Sequence, residues 1–122
     1  YFNARGYYTY RIGFNGPDEM LTGGLAMGMV GGIGSTYNLM PRIYLEIYDS
    51  IKSGDLLNAQ QLQAKANDVI DELLRISPGV VPGIKHGLKV LGFDMGEPRK
   101  PFLQLKSDAT RYEELIIGAN GL

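Results

Sequence analysis

Residues 10–38, YRIGFNGPDEMLTGGLAMGMVGGIGSTYN, decide how the chain is read. Tyr10 to Phe14 is a short apolar and aromatic run of the kind that forms a buried strand. Asn15-Gly16-Pro17-Asp18 is turn chemistry. Pro17, Asp18 and Glu19 also suit the first turn of a helix, where proline loses no hydrogen bond and carboxylates complement the dipole. A helix is predicted from about Pro17 to Met27, with Leu21, Leu25 and Met29 roughly on one face, although its interior glycines oppose helix formation. Met29 to Ile33 reads as a second short buried strand, after which Gly34-Ser35-Thr36 turns the chain.

Beyond this strand–helix–strand unit the sequence turns helical. From Pro41, the residues Ile43, Tyr44, Ile47, Tyr48 and Ile51 recur at helical spacing, and Gly54 ends that helix. Asp55 is a candidate N-cap for the next helix, which runs to about Ile76. Its apolar stripe is Ala59, Leu62, Ala66, Val69, Ile70, Leu73 and Leu74. Ser77-Pro78-Gly79 closes it. A further helix is expected over Pro82–Leu91, an irregular stretch over 92–106, and a last helix over Ala109–Ile117 capped by Asp108. Residues 1–9 show no clean period. The pattern is α/β, with alternating units first and helices only afterwards. Parallel strands are normally covered on both faces, and two short ones make an incomplete sheet. The expectation is a piece of something larger.

Composition narrows the function classes. The 122 residues carry 13 acidic and 12 basic side chains, which gives no electrostatic reason to expect nucleic acid or an anionic membrane as partner. No stretch approaches the roughly 20 apolar residues of a membrane span. The absence of cysteine excludes a disulfide framework, a zinc–thiolate site and a cysteine nucleophile in this chain. The 17 glycines are the unusual feature, because six of them lie between Gly23 and Gly34. Such clustering points to tight packing or to backbone lying close to a ligand.

Two segments sharpen the reading: Phe14-Asn15-Gly16-Pro17-Asp18-Glu19 at one strand end, and Gly31-Gly32-Ile33-Gly34-Ser35-Thr36-Tyr37-Asn38 at the next. Lys52-Ser53-Gly54-Asp55, Ala59-Gln60-Gln61-Leu62-Gln63, Asn67 and Pro98-Arg99-Lys100-Pro101-Phe102 follow in order. Together, over about residues 12–105, they resemble the N-acetylneuraminate lyase branch of the dihydrodipicolinate synthase superfamily. The resemblance implies the C-terminal part of a (β/α)8 barrel. Residues 1–54 would carry its last two strand–helix units, and residues 55–122 a C-terminal helical extension. It also implies a cytoplasmic homotetramer acting as a class I aldolase, with no metal and no organic cofactor. A lysine would form a Schiff base with pyruvate, and sialic acid would be cleaved to N-acetylmannosamine and pyruvate.

The lysine, the assisting tyrosine and the GxxGE-type turn of that family belong to earlier strands, so no catalytic residue is expected in this chain. The substrate-binding positions carried over are Gly16 through its backbone, Asp18 and Glu19 as acceptors from sugar hydroxyls, and Ser35 as a hydroxyl partner. Pro17 stands where the family usually has an aromatic residue, and residues 1–10 do not match the expected preceding helix and loop. Other readings stay open: a dihydrodipicolinate synthase, a 2-keto-3-deoxy sugar-acid aldolase, or a catalytically dead interaction module.

Each candidate also has a plainer reading. Asp18 and Glu19 fit a helix first turn, and Ser35 a cap or turn. Gly31-Gly32-Ile33-Gly34 lacks the Lys-Ser/Thr of a phosphate loop. Lys85 lies in a helical context rather than on a strand. His86, the only histidine, is expected at the surface or in helix packing rather than on a metal. Arg99, between prolines, is expected to anchor the tail through carboxylate or carbonyl bonds. Tyr37, Tyr44 and Tyr48 are expected to pack along one helix, with some facing a subunit neighbour.

Overall fold

The computed structural model describes residues 12–106 and 108–122, so Tyr10 and Arg11 of the expected first strand, and residues 1–9, lie outside it. β1 is Phe14–Asn15, and it pairs in parallel with β2, Gly31–Gly32. Phe14 stands opposite Gly31 and Asn15 opposite Gly32. Backbone bonds extend the ladder at both ends, from Val30 N to Gly13 O (2.9 Å) and from Ile33 N to Asn15 O (3.0 Å). Between the strands, a 3-10 turn over Asp18–Met20 leads into α1, Leu21–Ala26. The strands are narrower than their apolar runs because, among the described residues, no third strand continues the pairing. Phe14, Val30 and Ile33 remain exposed beside it.

A 3-10 turn over Ser35–Asn38 leads to α2, Pro41–Ser53, which begins at its proline. Gly54 ends it in the left-handed region, with φ 82°, where a side chain would be strained. Asp55 then caps α3, Leu56–Ile76, its carboxylate accepting from Asn58 N at 3.0 Å. Only Gly54 and Asp55 separate the two helices, so they fold back on each other as a tight pair. The buried stripe of α3 is Ala59, Leu62, Ala66, Val69, Ile70, Leu73 and Ile76. Leu74 is not part of it and is 55% exposed. One residue past Leu73 is a rotation of about 100°, which carries a side chain off a core-facing stripe.

α4, Val80–Val90, starts two residues before Pro82. First-turn N–H groups have no partner within a helix, so proline is accepted at its third position too. Two glycines let α4 approach its neighbours. A Cβ on Gly83 would lie 2.7 Å from Leu73 Cγ, and one on Gly87 would lie 2.7 Å from both Ile116 Cδ1 and Leu39 Cδ2. The final helix, α5, is Thr110–Ala119, one residue later than its expected start. Asp108 still serves its beginning, accepting from Thr110 N (3.0 Å) and Thr110 Oγ1 (2.6 Å). Buried Tyr112 donates to Gly83 O at 2.7 Å and so joins α5 to α4.

The irregular stretch between α4 and α5 is not anchored by Arg99, whose side chain forms no hydrogen bond with the described residues. Lys85 Nζ fastens it instead, donating to Met95 O (3.0 Å) and Glu97 O (3.1 Å), and Lys106 N bonds Ile76 O at 2.7 Å. Arg99 is exposed, whereas Lys85 projects from α4 and reaches two carbonyls of the loop. His86 packs between helices as expected, Nε2 lying 2.8 Å from Glu113 Oε1 of α5. A single hydrophobic core runs from Leu21 and Leu25 through α2, α3 and Ile84 to Tyr112 and Ile116, and so crosses position 54. No helix among the described residues is long and apolar enough to cross a membrane.

The glycines predict opposite signs for one substitution. Gly87→Ala forces a methyl into Ile116 and Leu39 and should destabilise by about 1–3 kcal/mol. Gly118→Ala in α5 meets nothing within 4 Å and should stabilise by about 0.5–1 kcal/mol. Urea denaturation of both variants checks the pair.

Candidate functional site

The turns that follow the two strands face each other across a cleft of about 370 Å³. Gly16, Pro17, Asp18 and Glu19 form one lip, and Gly34, Ser35 and Thr36 the other. Ile70, Leu73 and Leu74 of α3, with Val80 of α4, supply an apolar wall. All four residues singled out from sequence, Gly16, Asp18, Glu19 and Ser35, therefore line one space. Gly16, Glu19 and Ser35 are exposed there, while Asp18 is 8% exposed.

Asp18 owes its position to Thr36. Its Oδ2 accepts from Thr36 N at 2.9 Å and from Thr36 Oγ1 at 2.5 Å. Bonds to an ionised acceptor are stronger than neutral ones, and these two tie the first lip to the second. The other oxygen, Oδ1, lies against Gly34, where an added Cβ would come within 1.5 Å of it. Gly34 has extended backbone that any residue can adopt, so its glycine is needed for space rather than for φ. Thr36 Oγ1 lies 2.6 Å from Tyr44 Oη, which links the lips to α2.

A second set of bonds holds the first lip from below. Gln63 of α3 accepts from Thr22 N (2.9 Å) and Thr22 Oγ1 (3.1 Å) through Oε1. Its Nε2 donates to Asp18 O and to Asn67 Oδ1, both at 3.0 Å. Asn67 Nδ2 reaches Glu19 O at 3.3 Å. Asn15 Nδ2 donates to Pro17 O at 2.6 Å and tightens the turn itself. Backbone carbonyls in a tight turn must find partners or face water. Here α3 supplies them, and the lip is held without a regular helix of its own.

The phenols behind the cleft are kept neutral. Burial pushes Tyr44 well above the usual tyrosine range, and its bond to Thr36 only partly opposes this. Burial also raises Tyr37, and the nearby charge of Asp18 adds to the effect. The two rings pack at 4.2 Å between centroids, tilted by 55°. Tyr37 and Tyr44 thus pack together, but not along one helix as expected: Tyr37 lies in the 3-10 turn before α2, because the helix starts only at Pro41, and Tyr44 on α2 also belongs to the site. Sequence reasoning missed Thr36, Tyr44, Gln63 and Asn67. The available signal was a polar residue on an apolar stripe: Gln63 lies four residues from buried Ala59.

Two parallel strands joined through a helix, with polar turns at their C-terminal ends opening onto a cleft, define an α/β chain of the kind that seats small ligands at its strand ends. The particular family is given by sequence: the Dihydrodipicolinate synthetase family matches residues 7–119, and the chain belongs to it. It is 41% identical over 95 residues to an N-acetylneuraminate lyase of Rhizobium meliloti, a match covering 78% of this chain and 31% of that protein. It is 44% identical over 95 residues to N-acetylneuraminate lyase 2 of Escherichia coli, covering 76% and 30%. Among solved structures, the sialic acid aldolase of Ruminococcus gnavus superposes with a TM-score of 0.84 at 28% identity, covering 96% of this chain and 40% of that one. The chain thus spans about 30% of the length of the curated relatives it matches.

The buried phenols predict alkaline sensitivity. Burial raises Tyr44 and Tyr112 above their ordinary value of 10.0, so the folded chain favours the neutral phenol more than the unfolded chain does. That contribution to stability is complete below pH 10 and declines as pH rises further. Thermal melts above pH 10 should show a falling Tm, and Tyr112→Phe should flatten the fall. An unchanged slope in that variant would contradict the assignment.

Proposed function

We propose that this chain is the C-terminal part of a (β/α)8 aldolase of the Schiff-base class, with the specificity of an N-acetylneuraminate lyase. Residues 1–54 would form the closing strand–helix units and residues 55–122 the helical extension, in a cytoplasmic homo-oligomer. The observation that carries this reading is the convergence of Gly16, Asp18, Glu19 and Ser35 on one cleft at the strand ends. The lyases named above supply the substrate class.

In the reaction, a lysine outside this chain condenses with the keto carbon of the sugar acid and releases water. The electron pair of the broken carbon–carbon bond moves into the iminium. The neighbouring hydroxyl loses its proton as its carbon becomes the aldehyde of N-acetylmannosamine. The enamine then takes up a proton, and water returns pyruvate and the free lysine.

The part played by this chain is to hold the polyhydroxylated end. Asp18 and Glu19 accept from hydroxyls, Ser35 bonds another, and Gly16 lets backbone come close. A site built to satisfy hydroxyls rejects analogues lacking them, because its polar groups are then left unpaired. No metal or organic cofactor takes part in this scheme.

Intact mass measurement after incubation with pyruvate and borohydride tests the division of labour. The Ruminococcus gnavus aldolase should gain a reduced adduct under these conditions, and this chain should gain none. An adduct on this chain, with Lys85 as the first residue to map, would overturn the reading. On the intact protein carrying this chain, release of pyruvate from sialic acid separates a lyase from a dihydrodipicolinate synthase or a sugar-acid aldolase.

A further inference from the structure

The cleft contains one carboxylate whose orientation is fixed from two sides, and the groups that fix it are not among those expected to touch substrate. We propose that Thr36, held by Tyr44, is a specificity-determining positioning residue that turns Asp18 into a one-oxygen acceptor for an uncharged or cationic hydrogen-bond donor. The inference rests on the sugar-binding reading of the cleft and adds to it the polarity of the group that this lip accepts.

A threonine hydroxyl has one proton and two lone pairs. Thr36 Oγ1 lies 2.5 Å from the Asp18 carboxylate, which has no proton to offer when ionised, so the hydroxyl proton points to Asp18. Thr36 Oγ1 can then only accept from Tyr44 Oη, 2.6 Å away. The phenol proton therefore points to Thr36, in keeping with a buried tyrosine that stays neutral. The direction Tyr44 to Thr36 to Asp18 is fixed along the whole row. With Thr36 N also donating, Oδ2 receives two bonds at once. Oδ1 is placed against Gly34 and accepts nothing from the described residues. The carboxylate therefore presents a single acceptor oxygen, in a set rotamer, on a lip that also carries the exposed carboxylate of Glu19.

Two consequences follow for the ligand. The group placed on this lip must be a donor, because every proton in the row already points toward Asp18. It must also be uncharged or cationic, because an anionic group would meet two carboxylates with no cation among the residues lining the cleft. A sugar acid is thus oriented with its polyol end here and its carboxylate away from these turns.

The test is an amide-resolved NMR titration of this chain with N-acetylmannosamine and, separately, with pyruvate, for the parent and for Thr36→Ser, Thr36→Val and Tyr44→Phe. In the parent, the sugar should shift the Gly16, Glu19 and Ser35 amides and pyruvate should not. Thr36→Val should weaken the sugar about tenfold or more, as expected when a bond to a charged partner is lost. Thr36→Ser should bind within about twofold of the parent, and Tyr44→Phe should fall between. A threonine that mattered only for stability would lower Tm without changing the dissociation constant of the folded fraction. Equal sugar binding by Thr36→Val and the parent overturns the inference and leaves the sugar site standing. Pyruvate shifts on the same amides overturn it as well. If the parent shows no sugar shift, the sugar-binding reading fails first. Should Thr36→Val not fold, the serine and phenylalanine variants decide through the same comparison.

Discussion

The bond pair between the Asp18 carboxylate and Thr36 is the constraint on which the site depends. The two strands are only two residues long, and a ladder that short cannot hold the turns beyond it in register. The lips sit on opposite strands, 18 residues apart in sequence, and are joined by side-chain chemistry rather than by further pairing. An ionised carboxylate buried to this degree would be costly without donors. The Thr36 amide and hydroxyl offset that cost, and the arrangement then rigidifies both turns. The price of an ionised group in the interior is thereby converted into a defined cleft.

The glycines make the same contacts possible from the other side. Gly34 leaves the space that Asp18 Oδ1 occupies, and Gly24 leaves room for the Asn15 side chain, whose Oδ1 would be 2.3 Å from an added Cβ. Gly32 does so for Tyr37, where the same distance to Oη would be 2.1 Å. None of these three positions has the positive φ that only glycine adopts easily. Their role is close approach, which agrees with a glycine cluster at the strand ends rather than in a linker. Gly83 and Gly87 repeat the device in α4, where helices rather than turns are brought together.

Much of this was legible in the sequence, and the limits have physical causes. The long helices were legible because α2 and α3 carry strong apolar periods with a left-handed glycine and an aspartate cap between them. Strand lengths were not, because pairing partners set them and no local pattern does. Leu73 and Leu74 look equivalent in sequence, whereas one step of rotation separates a buried side chain from an exposed one at the cleft. The four cleft residues came from motif similarity, and their convergence in space was not deducible from either turn alone. Thr36 looks equivalent to Ser35 in sequence, although the exposed serine and the buried threonine differ in what they can do. Hydroxyls adjacent in sequence point in different directions, and only the fold says which one meets the carboxylate.

The cleft also argues against treating the helical region as an appendage. Its polar lips come from the strand-end turns, but Ile70, Leu73, Leu74 and Val80 come from α3 and α4. Gln63 and Asn67 of α3 hold the carbonyls of Asp18 and Glu19. A loosened α3 would free those carbonyls and remove the apolar wall together. The helices are thus part of the machinery that gives the first lip its shape. This explains why one hydrophobic core runs through both halves of the chain. Thr36 holds the Asp18 carboxylate, Tyr44 of α2 meets Thr36, and Gln63 of α3 holds the Asp18 carbonyl, so both long helices act on the same turn.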